Sequence, residues 1–107
     1  MNLGMKKIKS LCGLEVVNVI LEIGNSGIEF LGGSTLAIYN QFSLFGVSFE
    51  DQKKIIGKKF ESVFEKQKTI ILNFESDISL HICMKDECYT GPEALVLQIP
   101  GEAIIVW

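Results

Sequence analysis

Apolar residues along this chain recur at every second position in short runs broken by Gly, Ser and Asn, which is the period of a strand. Val17, Val19, Leu21 and Ile23 alternate with Asn18 and Glu22, and "GNSG" then supplies residues that tolerate positive φ in a tight turn. Ile28 and Phe30 flank Glu29 before "GGS" turns the chain into Leu36 and Ile38. A second run places Phe60, Ser62 and Phe64 opposite Glu61, Val63 and Glu65, turns at "KQK", continues through Ile70, Leu72 and Phe74, turns at "ESD", and ends in Ile78, Leu80 and Ile82. Each run reads as a three-stranded meander. Helical spacing, with apolar residues three and four apart, is absent from any long stretch. The one helical candidate is "SFEDQKKII", where Ser48 can cap the first turn and the lysines lie near the favourable end of the dipole. After Glu93, the apolar runs "ALVLQI" and "EAIIVW" flank Pro100 and Gly101, a turn pair that predicts a closing hairpin over 93–107.

The two meanders are related. Residues 11–40 fall on residues 55–84 at an offset of 44, which aligns Gly13 with Gly57, Val19 with Val63, Phe30 with Phe74, Leu36 with Leu80 and Ile38 with Ile82. One supersecondary unit is used twice. The expected fold is therefore a single all-β domain over 1–107. It is a sandwich or half-open barrel of about eight short antiparallel strands, with two meanders, a closing hairpin and one short linker helix. Trp107 is expected to complete the core or cover an open sheet end.

Composition narrows the setting. A chain of 107 residues, 48% of them hydrophobic, is the size of one self-sufficient domain. No run reaches the roughly 18 consecutive apolar residues of a membrane helix. The basic start, with Lys6, Lys7 and Lys9, superficially suggests a signal peptide, but Glu15, Asn18 and Glu22 follow and no small-residue cleavage site does, so a cytoplasmic protein is expected. Three cysteines cannot all pair, which favours reduced thiols, with Cys12 and Cys83 serving as small core residues. A net charge of −3, with few aromatics among the basic residues, disfavours nucleic acid and suits a basic protein partner.

Candidate chemistry concentrates in "HICMKDECYTGPE", His81 to Glu93, which holds the only histidine and two of the cysteines. His81 and Cys83 share one strand face and Cys88 follows closely, yet a fourth metal ligand has no obvious source. Ser79, His81 and Cys83 contain a nucleophile and a base, but on a strand and not at the turn or helix start where an oxyanion hole forms. "LGGST" lacks the lysine of a phosphate-binding loop. No catalytic residue, metal or cofactor is expected; the alternative is a small-ligand-binding or enzymatic β-barrel that uses His81 and Cys83.

Taken together, "GLEVVNV…IEFLGGSTLAI", "IIGKKFESV…ILNFESDISLHI" and "GPEALVLQIPGEAIIVW" resemble a family of small bacterial β-rich proteins. Its marks are two G-x-x-V units and a closing "PEA…PG…VVW", and its members resemble immunity proteins of contact-dependent growth inhibition and related polymorphic toxin systems. The resemblance implies a cytoplasmic inhibitor that binds the carboxy-terminal domain of one cognate toxin, often a nuclease, and blocks its active site or substrate groove. It carries no binding residues over, and it leaves the choice between monomer and dimer open. Physical criteria choose Asp86, Glu87, Tyr89 and Glu93 in the loop after the last meander strand, with Glu75 and Asp77 in the preceding hairpin turn and Tyr39 at the corresponding point of the first unit.

Overall fold

The computed structural model describes residues 3–107; Met1 and Asn2, the first two residues of the domain bounded from sequence, lie outside the described residues. A helix α1 (Leu3–Lys9) precedes strands β1 (Val16–Ile20), β2 (Ser26–Phe30), β3 (Thr35–Ile38) and β4 (Phe42–Phe45). A 3-10 linker helix (Phe49–Ile55) leads to β5 (Phe60–Glu65), β6 (Thr69–Phe74) and β7 (Ile78–Cys83), and a 3-10 turn (Asp86–Cys88) leads to β8 (Leu95–Gln98) and β9 (Ile105–Val106). The strands form two antiparallel sheets, ordered β1-β2-β3-β8-β9 and β4-β7-β6-β5, and no barrel closes. Both meanders and the closing hairpin form as expected. The linker helix is capped by the Ser48 hydroxyl, which accepts from the Asp51 amide. Two elements go beyond the expectation. β4 pairs with β7, and α1 folds because Met5 and Ile8, one turn apart, are buried in the core.

The repeated unit is present in three dimensions, and its two copies exchange strands. The fourth strand of each unit leaves its own meander and pairs with the other, β4 on β7 and β8 on β3. The registers correspond. Ile38 faces Leu95 while its equivalent Ile82 faces Phe42, and Thr35 faces Gln98 while its equivalent Ser79 faces Phe45. The isolated bridge between Glu15 and Lys59 joins two equivalent residues and so lies on the pseudo-two-fold axis. Around it, the Gly13 amide donates to Phe60 O at 2.7 Å while the Gly57 amide donates to Val16 O at 2.8 Å. Both glycines need the left-handed region, at φ 96° and 92°, so the shared Gly is a requirement of the joint.

Phe60 packs between the equivalent residues Phe30 and Phe74, with ring centroids 5.6 Å away on each side. The buried inner faces of both sheets meet there in one core.

Two strand faces differ from the strict alternation read from sequence. The pairing shifts by one residue between Val16 and Asn18, and again between the equivalent residues Phe60 and Ser62. In β5 the bulge buries Val63 and turns Phe64 outward, against the alternation; in β1 it buries Val16 in place of the half-buried Val17, while Val19 and Leu21 are buried as expected. Ile23 lies beyond β1 and is exposed, not inward as its parity suggested. Trp107 is half-buried against Gly4 and the core, and its carbonyl accepts from the Ala94 amide at 2.7 Å.

Candidate functional site

The two units differ most in one connection. Three residues, Tyr39 to Gln41, carry the first unit from Ile38 to Phe42, whereas twelve, Cys83 to Ala94, carry the second from the equivalent Ile82 to Leu95. Three residues therefore suffice for this step of the fold, and the second connection is nine residues longer.

The longer loop is held closely. Cys83, on the outer face at the end of β7, is bonded to Cys88 in the Asp86–Cys88 turn, with Cα atoms 5.8 Å apart. This corrects the expectation of reduced thiols: the pair is a clasp, and Cys83 is neither a free core thiol nor a nucleophile. Half-buried Cys12 is the free cysteine among the described residues, and burial pushes its pKa up against the opposing pull of the Lys9 charge. The short first connection supplies the loop's seat. Gln41 N donates to Cys88 O and Gln41 O accepts from Cys83 N, both at 3.0 Å, and the Thr90 hydroxyl donates to Tyr39 O at 2.7 Å. Buried Asn40 donates through Nδ2 to Cys83 O at 2.8 Å, while its Oδ1 has no hydrogen-bond partner among the described residues. Met84 N is bound by Lys68 O of the β5–β6 turn at 2.8 Å. A backbone bonded at so many points presents its side chains in one geometry, which reduces the ordering cost of binding.

The loop's ionisable side chains point to solvent. Asp86, Glu87 and Glu93 are exposed and outnumber the single Lys85, and none of the three has an ion pair among the described residues. Tyr89 is half-buried and packs on the core, so only part of its ring is free for contact. Glu93 and Tyr39 come together, with Gly24, Thr90, Gly91 and Pro92, around a hollow of about 260 Å³. Glu75 and Asp77 do not join them. They lie in the β6–β7 turn, at the other end of β7 from Cys83, with Asp77 about 20 Å from Cys83 at the rise of a strand. Glu75 Oε1 accepts from the Lys59 amide at 2.6 Å, a bond internal to the fold.

His81 sits mid-sheet beneath the Phe45 ring, centroids 4.5 Å apart, with Nε2 3.2 Å from the Ser79 hydroxyl. No free thiol belongs to its strand, and among the described residues no group of three or more His, Cys, Asp or Glu could hold a metal ion. Likewise, among the described residues, no helix is long and apolar enough to cross a membrane. Compared with models of protein families, with curated proteins and with solved structures, the chain matches none of them.

Proposed function

We propose that this domain is an inhibitor of the immunity class, which binds the carboxy-terminal domain of a cognate toxin through the loop Met84–Ala94 and carries out no reaction of its own. One observation carries the reading: the fold makes the same strand-to-strand step elsewhere with nine fewer residues, and the extra residues are clasped, seated and acidic on their exposed side. Length beyond what the scaffold needs, held rigid, fits recognition. Acidic side chains left without cationic partners fit a basic protein, whose approach they would steer and whose register they would fix. The toxin itself rests on the family resemblance, and a nuclease is the toxin type whose phosphate-binding groove is basic.

The alternative, a small-ligand or enzymatic barrel using His81 and Cys83, loses its thiol to the Cys83–Cys88 bond. Cytoplasmic placement comes from the sequence and the resemblance alone and stands against the Cys83–Cys88 bond on which the loop's rigidity partly rests. Disulfides persist in oxidising compartments and are rare in the cytosol, so trapping thiols at the moment of lysis separates the two settings. Three alkylated cysteines place the protein in the cytoplasm with its loop unclasped; Cys12 alone places it in an oxidising compartment.

Co-expression with the carboxy-terminal domain encoded by the gene immediately upstream tests the function. The expected outcome is one stoichiometric complex, with cells surviving only when both chains are made. Separate elution of two folded chains counts against the reading.

A further inference from the structure

The outer face of the five-stranded sheet is not matched by its equivalent in the other half. Across the first sheet, register aligns Ile20, Gly27, Ala37, Val96 and Val106 in one outward row. The equivalent row in the second sheet is Phe64, Ile71, His81 and Ser43, with the Phe45 ring lying on His81. Where the second sheet carries Ile71 and His81, the first carries Gly27 and Ala37 at the same scaffold positions. A groove of about 310 Å³ results, with Gly27 and Ala37 on its floor and Ile20 as one wall.

One charged side chain lines this groove. Glu29 follows Gly27 on the same face of β2, exposed and without an ion pair among the described residues, between Asn18 on β1 and Thr35 on β3. Its equivalent in the second sheet is the neutral Asn73. The groove is also continuous with the loop surface. Asn25 lines its end, the adjacent Gly24 borders the Thr90–Glu93 hollow, and Tyr39, which lines that hollow too, lies two residues after Ala37, just past the end of β3.

We infer that this groove is a socket for an arginine or lysine side chain of a basic protein partner, with the aliphatic stem on Gly27 and Ala37 and the cationic head on the Glu29 carboxylate. The chemistry follows from the lining. A long amphipathic side chain is the one that buries a stem while keeping its charge at a carboxylate. The identity of the occupant as a toxin residue rests on the proposed function; the preference for a cationic amphipathic side chain does not.

The test is an NMR titration of the isotope-labelled protein with acetyl-arginine amide and, as the neutral isostere, acetyl-citrulline amide. Saturable shifts are expected at the Gly27, Glu29 and Ala37 amides, with citrulline weaker by about five-fold, the upper range of one exposed ion pair. Glu29→Asn alone is expected to abolish the preference for arginine. Gly27→Ile with Ala37→His imports residues the other half already accommodates, and it is expected to abolish the response altogether. Equal response to both probes, shifts spread over all acidic residues, or a response that survives both sets of substitutions would overturn the socket. Asp86→Lys with Glu87→Lys is expected to leave the probe response unchanged. A working socket in a protein that forms no toxin complex therefore defeats the proposed function alone, and a complex without probe binding defeats the socket alone.

Discussion

Phe74 illustrates how much a single position carries. It is buried on β6, lies 5.6 Å from Phe60, and pairs with Phe60 across the strands at the point where the two units meet. Truncation of so enclosed a ring removes its burial energy and leaves a cavity beside the axis. Phe74→Ala is expected to cost about 3 to 5 kcal/mol in urea unfolding, and an unchanged midpoint would contradict the core placement. The position was legible because its parity, its hydrophobicity and its repeat equivalent Phe30 all agreed. Val63 and Phe64 were not, because a bulge inverts the faces of every residue after it and leaves no mark in apolar spacing. Cys83 and Cys88 lay in view as well, but an odd cysteine count described the whole chain and said nothing about which two thiols a turn brings together.

At the scale of the element, the clasped loop is the addition and the meanders are the frame. The frame could be read from sequence since the same rhythm of strands and turns recurs at a fixed offset. The exchange of fourth strands could not, because β4 and β8 follow connections of different length and fall out of register with the repeat. The helix α1 has no signature in the sequence either: its seven residues bury Gly4, Met5 and Ile8, of which only two are apolar side chains, too few to establish a period. The groove had a signal that could have found it. The alignment set Gly27 and Ala37 against Ile71 and His81, and a small-for-large exchange on matching outward positions marks a surface that one half has cleared. Closing so short a ring between Cys83 and Cys88 stabilises by about 2 kcal/mol in the chain-entropy account. Reduction is therefore expected to lower the unfolding free energy by about that amount and to weaken partner binding, with the circular-dichroism spectrum retained. Loss of the β signal on reduction would mean that the bridge holds the fold and not the loop.

For the molecule as a whole, the pseudo-two-fold arrangement separates what folding requires from what has been added. Features common to both halves, such as the Gly13 and Gly57 joints, the paired bulges and the inner-face aliphatics, are accounted for by packing and backbone geometry. Features of one half alone are the clasped acidic loop and the cleared face of the five-stranded sheet, and they adjoin each other beside the β1–β2 turn. The surface proposed for recognition is their union. Glu75 and Asp77 lie at the far end of β7 and fall outside it.

The most direct measurement is the affinity of the proposed partner, the carboxy-terminal domain encoded immediately upstream, by calorimetric titration, for the wild type, for Asp86→Lys with Glu87→Lys, and for Asp77→Asn, which keeps a residue type that tolerates the left-handed backbone there (φ 58°). The loop variant is expected to bind about ten-fold more weakly or worse, because attraction becomes repulsion, while Asp77→Asn binds as the wild type does. Full affinity in the loop variant, with the loss appearing at Asp77, would place the interface at the opposite end of the sheet and contradict the account.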